Sequence, residues 1–274
     1  MADARQMVGV VGALWRYPVK SMQGEELNAS AVGERGLLGD RAHALVDGAD
    51  GKVGSAKNPR KWPGLFDFRA AYAEPPAPAA ALPPVRVTLP DGAGTRSDAA
   101  DRDRLLSAAL GRPVKLAAAA PAGPVLEEYW PAVEGLPHQD AVTDEAMPAG
   151  MFFDLATVHL LTTATLDRLR ELHPAGRLEV RRFRPNVVVN TPAGQAGFVE
   201  DAWVGRTLAL GKEVRLKIIK RCGRCVMTTL AQADLPADLG VLRTAVKHNQ
   251  GHVGLYASVL QGGTVRRGDE VRVE

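Results

Sequence analysis

Residues 214–229, VRLKIIKRCGRCVMTT, decide how the chain is to be read. Val214, Leu216 and Ile218 alternate with Arg215 and Lys217, the two-residue period of a strand with one buried face. Both cysteines of the chain, Cys222 and Cys225, follow directly, and β-branched residues resume after them. A thioredoxin-type dithiol needs its first cysteine exposed at a helix N-terminus. The flanks here place the pair at a strand end or inside a β-hairpin instead. A structural zinc site needs four ligands and one CxxC supplies two, while His43, His138, His159, His173, His248 and His252 form neither an HxxxH pair nor a second knuckle. Lys220, Arg221 and Arg224 crowd the pair, and positive neighbours lower a cysteine pKa, favouring a nucleophilic or metal-binding thiolate. Two buried cysteines ringed by solvated charges are the alternative.

Outward from this stretch, MVGVVGALWRYPV, HALVD, VRVTL, NVVVN, LALG, VGLYASVL and VRVE also read as strands. Helical periodicity is confined to 98–111, with Asp98 as N-cap and Gly111 as stop, to 162–174 and to 239–249. The expected class is therefore mainly β (α+β) with a few short helices. Five prolines make 73–84 a surface loop, and seven prolines or glycines make 117–148 irregular, with a soft boundary at its start. The ending GGTVRRGDEVRVE has the form of a hairpin turning at Gly268-Asp269.

With 274 residues the chain can bury a large core. No apolar run is long enough to span a membrane, and the first residues lack the charged-then-apolar order of a signal peptide, so no membrane role and a cytoplasmic location are expected. A net charge of +3 with dispersed arginines argues against nucleic acid and for a small anionic ligand. Trp15, Trp62, Trp130 and Trp203 are expected in core packing.

Three further stretches can carry chemistry. In RRFRPN (181–186) proline pre-sets an extended Arg184, so Arg184 and Asn186 stand at the mouth of a buried strand, where a cation and an amide can hold an anion and a heterocycle edge. The bland reading has Asn186 capping a turn and Arg184 paired with an acid such as Asp201. Lys20 and Ser21 follow a strand and precede a glycine turn, a place where cation plus hydroxyl can meet a phosphate, and Gly39-Asp40-Arg41 aims Arg41 at the same rim.

Taken in order, YPVKS, GLLGDRAHALVD, HLLTTATLDRL, RRFRPNVVV, FVEDAWVGRTLALG, RCVMTT and GTVRRGDEVRV resemble the MOSC family, in the form with an extra N-terminal β-barrel module. The resemblance implies an N-terminal β-barrel-like module over 1–116 and a MOSC β-barrel domain over 117–274. The best-understood relatives are the amidoxime-reducing components, which carry a molybdenum cofactor and reduce N-hydroxylated compounds. By this resemblance Cys225 of the RCVMTT signature is the molybdenum ligand and Cys222 is auxiliary. Lys20, Ser21, Arg41, Arg184 and Asn186 match cofactor-contacting positions, with Thr163 and Arg182 as weaker candidates. A phosphate-bearing pterin dithiolene needs fixed cations, amide edges and one soft ligand for the metal, and this set supplies them.

The implied activity is reduction of an N-hydroxylated or N-oxide small molecule, with Asp201 as the catalytic acid and His248 or His252 as rivals for that role. Two cysteines cannot also hold a four-cysteine iron–sulfur cluster, and no Gly-x-Gly-x-x-Gly fingerprint is present, so a separate ferredoxin or flavoprotein reductase would supply the electrons. The alternative is a carrier that holds the cofactor, or sulfur as a persulfide, for another protein.

Overall fold

The computed structural model describes residues 6–274. The first part of the chain forms β1 (Gln6–Arg16), β2 (Glu25–Leu27), β3 (Ala29–Gly33), β4 (Gly36–Leu37), β5 (Ala44–Asp47), β6 (Arg69–Tyr72), β7 (Val85–Thr88), β8 (Gly94–Arg96), α1 (Arg102–Leu110) and β9 (Val114–Ala117). Then come β10 (Val125–Trp130), β11 (Ala141–Ala146), β12 (Val158–Thr162), α2 (Thr163–Leu172), α3 (Val180–Phe183) and β13 (Val187–Asn190). The chain finishes with β14 (Thr207–Leu210), β15 (Val214–Gly223), α4 (Gly240–Asn249), β16 (His252–Gln261), β17 (Gly263–Arg266) and β18 (Glu270–Val273).

The class is mainly β, as the periodicities require. Seven strands in the order β13-β12-β16-β15-β14-β18-β1 close into a barrel because β1 pairs with β13 as well as with β18. Its interior is filled by alternate side chains such as Val11, Leu14, Leu160, Val189, Leu216, Ile218 and Val271. Parallel strands need a crossover, and α2 with α3 supplies the one between β12 and β13. Thr162 caps α2 by accepting from the backbone N–H of Thr165. A second core, around Leu45, Trp62, Phe66, Phe68, Val87 and Leu106, sits under the β6-β7-β8 sheet and α1. Gly111 ends α1 in the left-handed region, as expected, whereas its N-cap is Asp101 rather than Asp98.

Two expectations need correction. The last two strands do not form a hairpin: after the Gly268 turn, β18 joins the barrel beside β1 and β14, while β17 pairs with β3. The irregular stretch 117–148 contains a six-residue antiparallel ribbon, β10–β11, in full register from Val125↔Ala146 to Trp130↔Ala141. Its pattern Val-Leu-Glu-Glu-Tyr-Trp sets two adjacent acids between two apolar pairs, so it does not alternate and announces no strand. The 73–84 segment is the loop of the β6–β7 hairpin and carries no strand or helix.

Candidate cofactor site

β15 sets the position of the two cysteines. Against β16 its register shifts between Ile218 and Lys220 and again between Arg221 and Gly223, and such bulges re-aim side chains at barrel rims. Cys222 keeps the parity of Val214, Leu216 and Ile218 and is fully buried. The strand then ends, as read from the sequence. Cys225 takes an extended conformation at the head of the single turn 226–229, which Thr228 and Thr229 fasten by donating to the carbonyls of Cys225 and Val226, at 3.0 and 2.8 Å.

Cys225 opens onto a cavity of about 970 Å³, at the upper end of the range for a single ligand. Lys20, Ser21, Arg41, Arg184, Asn186 and Asp201 line the same cavity, although they come from four separate segments of the chain. Thr163 and Arg182 do not line it. Thr163 opens α2 and accepts from the backbone N–H of Thr191 at 3.0 Å. Arg182 is wholly buried and donates to the carbonyls of Arg177, Thr228, Leu230 and Pro236, so it braces the segment behind Cys225. His252 is on the wall, His248 is exposed on α4, and Trp130 lines the cavity instead of packing in a core. Trp62 and Trp203 are in the cores, and Trp15 is half-buried.

The cations are fixed by the protein itself. Asp40 accepts from the backbone N–H of Tyr17 at 2.7 Å, from Asn186 Nδ2 at 2.9 Å and from Arg41. The Tyr17 ring lies between the guanidinium groups of Arg41 and Arg184, 4.9 and 4.1 Å from its centre. Arg184 donates to the Met22 carbonyl at 2.7 Å, and burial lowers its pKa to about 10, with Tyr17 opposing. Asn186 spends its amide on Asp40, on the Trp15 carbonyl and on the backbone N–H of His159, so it aligns β1, β12 and Asp40 instead of offering a free edge. Lys20 pairs with Asp154 and donates to the Phe152 carbonyl at 3.0 Å, with its pKa lowered by burial. Arg184 is thus not paired with Asp201, which lies 3.6 Å from Arg221.

Backbone strain gathers here. Ser21, Arg41, Arg184 and Gln250 all line the cavity with φ between 48° and 62°, a region costing non-glycine residues about 1–3 kcal/mol each and typical of functional sites.

The cations act on the wrong sulfur for the initial expectation. Burial opposes ionisation of Cys222, but Arg224, whose Nη1 is 2.8 Å from Sγ, outweighs it with help from His159 and Tyr256 and brings the thiol down to about 6. Burial pushes Cys225 up to about 11, Glu128 adding to the rise while Lys57 and Arg224 oppose it.

Lys57, Glu128, Asp154 and Tyr256 also face this space and were not singled out from the sequence. Lys57 bonds Glu128 at 3.0 Å and lies 3.4 Å from Asp154. Burial disfavours its charge, yet Asp154, Cys225 and Glu128 hold its pKa well above the ordinary value. Burial raises Glu128, whereas Lys20 and Lys57 hold Asp154 far below the carboxylate range against its burial. No local pattern marks any of the four.

The wall fits an anionic, metal-bearing cofactor. Seven Lys or Arg side chains face four Asp or Glu, and Arg224 Nε is buried with no hydrogen-bond partner. Among the described residues no three His, Cys, Asp or Glu side chains gather around an ion, so a metal held by Cys225 would need most of its ligands from outside the protein.

Comparison with known proteins agrees. The chain belongs to the MOSC family: the MOSC N-terminal beta barrel domain matches residues 8–113 and the MOSC domain residues 149–272. Over 131 residues it is 30% identical to mitochondrial amidoxime reducing component 2 of Rattus norvegicus, a match covering 43% of this chain and only 37% of that protein. The YUAD protein of Bacillus subtilis shares the fold at 12% identity, with a TM-score of 0.50 over 98% of this chain and 97% of that one. YiiM of Geobacillus stearothermophilus is 16% identical over 43% of this chain and 54% of its own, with a TM-score of 0.34.

Proposed function

We propose that the protein is a molybdenum-cofactor-dependent reductase of N-hydroxylated or N-oxide small molecules, supplied with electrons by a separate ferredoxin or flavoprotein reductase. The observation that carries this reading is the convergence of one soft ligand, Cys225, with Lys20, Arg41 and Arg184 on a single cavity. Similarity to a protein named for amidoxime reduction supports the substrate class.

Lys20, Arg41 and Arg184 bind the anionic groups of the cofactor, and Asp40 with Asn186 keeps Arg41 aimed. Ser21 is a weaker contact, because its hydroxyl already accepts from the backbone N–H of Ala56 at 3.0 Å. Cys225 would hold the metal as a thiolate, so loading the site would release its proton. When bound, the cofactor supplies the two-electron removal of oxygen. The balance is R–NHOH + 2 e⁻ + 2 H⁺ → R–NH2 + H2O. Two carboxyls on the wall stand where they could pass a proton to the departing oxygen, Asp201 and Glu128; burial raises the pKa of Glu128, while its 3.0 Å pair with Lys57 opposes protonation.

Metal analysis tests the reading. Protein from cells that make the cofactor should contain about one molybdenum per chain, Cys225→Ala should contain none, and Cys222→Ala should retain it. Benzamidoxime with an artificial electron donor should then be reduced only by the metal-loaded forms. Absence of molybdenum in wild type, with a persulfide that can be labelled, would instead support a sulfur carrier.

A further inference from the structure

The ribbon β10–β11 contributes one face to the wall of the cavity, and no role in cofactor binding accounts for that face. Direct cross-strand pairing of Leu126 with Glu145, Glu128 with Thr143 and Trp130 with Ala141 puts these residues on one side of the ribbon. Leu126, Glu128, Trp130 and Glu145 line the cavity. At the ribbon's tip Gly135 adopts φ +91°, and a Cβ there would stand 2.8 Å from Val246 Cγ1, so the tip rests on α4. Leu136 and Pro137 beside it also line the cavity.

One hydrogen-bond relay fixes this face. Trp130 Nε1–H donates to Thr143 Oγ1 at 2.8 Å, and Thr143 donates to Glu145 Oε1 at 2.8 Å. The indole is also held edge-on by His138, with ring centres 5.3 Å apart. The ribbon's other carboxylates are consumed: Glu127 by Lys52 and Lys61, Asp144 by Lys52, Glu128 by Lys57. Among the described residues Glu145 forms no ion pair, and its hydrogen-bond partner is Thr143. A half-buried carboxylate without a cation, aligned beside an indole and two apolar side chains, is therefore available to a ligand.

We infer that the inner face of the ribbon is a specificity wall for a flat apolar group bearing an amidine- or guanidine-type nitrogen head, with Trp130, Leu136 and Pro137 taking the body and Glu145 the head. A planar nitrogen cation suits a carboxylate through paired, charge-assisted hydrogen bonds, and it gains further from an aromatic face. An anion is drawn instead to Arg41, Arg184 and Arg224, which line the same cavity. The inference deepens the reductase reading, since it narrows which N-hydroxylated compounds reach Cys225.

Binding of benzamidine, neutral benzamide and benzoate to the purified full chain, followed by calorimetry, tests it without requiring turnover. Benzamidine should bind wild type more tightly than benzamide. Glu145→Gln should weaken benzamidine by about tenfold or more while benzamide changes little. Trp130→Ala should weaken both. Molybdenum content and near-ultraviolet circular dichroism should stay unchanged in Glu145→Gln, separating lost recognition from lost folding, and Glu145→Asp should recover part of the affinity. In metal-loaded protein Glu145→Gln should weaken inhibition of benzamidoxime reduction by benzamidine. Failure of benzamidine to bind wild type, equal affinity in Glu145→Gln, or a preference for benzamide overturns the inference. Glu145-dependent binding in a protein without molybdenum or reductase activity would keep the wall and remove the reductase reading, whereas reduction with Glu145-independent binding would do the reverse.

Discussion

The two sides of the cavity are built by different physics. The barrel side presents Lys20, Arg41, Arg184 and Cys225 from loops at strand ends, braced by buried hydrogen bonds such as Asn186 to Asp40 at 2.9 Å and Arg184 to the Met22 carbonyl at 2.7 Å. The ribbon side is held to the 52–61 segment by two backbone hydrogen bonds, Val53 to Val125 and Tyr129 to Lys57, and by ion pairs that run from the largely buried Lys57–Glu128 near the barrel to Arg60–Asp140 at the tip, whose side chains are 56% and 63% accessible. Buried polar contacts cost several kcal/mol when broken, and exposed ion pairs cost little. The first side is thus rigid before any ligand arrives, and the second can accept change. A fixed anionic cofactor matches the former, and a varying substrate the latter.

The contrast breaks first, if anywhere, at Arg182. Its guanidinium serves four carbonyls behind Cys225, two of them at 2.6 and 2.7 Å. Arg182→Ala leaves those carbonyls without their donor and should destabilise the fold by about 3–5 kcal/mol in urea unfolding. Arg182→Lys should recover only part of this, because an ammonium lacks the planar fork. A loss below about 1 kcal/mol for the alanine variant would mean that the barrel side is not rigidly braced.

The cysteines sharpen the same contrast through pH. For Cys222 the folded pKa, about 6, lies below its ordinary value of 9.0, so between these limits the unfolded chain binds more protons at this site. Its contribution to stability is fully present above pH 9 and is lost as pH falls through 6. Cys225 has the opposite sign: with a folded pKa of about 11, its contribution is present below pH 9 and is lost as pH rises through 11. Cys222→Ser should therefore flatten the rise in urea midpoint between pH 6 and 9. Thiolate absorbance of Cys225→Ser should titrate near 6, and that of Cys222→Ser near 11. Identical titration of the two single-cysteine proteins would remove the distinction between the buried and the cavity-facing sulfur.

Legibility in the sequence follows the same division. The barrel strands announce themselves because one face is buried and alternation records it, as in Val214, Leu216 and Ile218. Lys20, Arg41, Arg184 and Cys225 stand in short motifs at strand ends, each weak alone and legible through their ordered resemblance to the MOSC family; Arg184 itself takes the left-handed conformation, φ 53°, not the extended one that the following proline suggests. Each face of the ribbon mixes apolar and acidic residues, Leu126, Glu128 and Trp130 on one and Val125, Glu127 and Tyr129 on the other, so no polar–apolar alternation shows, and Glu128 and Glu145 acquire meaning only from the loop and cavity they meet in space. Lys57 likewise matters through Glu128, 71 positions away in the chain. Arg182 misled for a related reason: its motif marks it beside Arg184, while the turn of α3 sends its side chain into the protein. Which of the two cysteines the cations stabilise depends on Arg224 reaching Cys222 at 2.8 Å and on Glu128 facing Cys225, pairings made in space that composition does not encode.

The smallest expected effect lies on the ribbon's outer edge. Arg60 Nη2 is 2.5 Å from Asp140 Oδ1, and Tyr129 Oη donates to the same oxygen at 2.8 Å, yet both charged side chains are mostly solvated and the pair is screened by salt. Arg60→Ala should leave the urea midpoint unchanged within error at ordinary ionic strength. Arg60 also stacks on the Tyr129 ring, 4.0 Å from its centre, so its loss should act locally by loosening the tip that carries Leu136 and Pro137. Amide hydrogen exchange across 125–146 should therefore quicken in Arg60→Ala while β12 to β16 keep wild-type protection. Faster exchange throughout the barrel would show that ribbon and barrel unfold as one unit, and the division between a rigid and an adjustable side would fail.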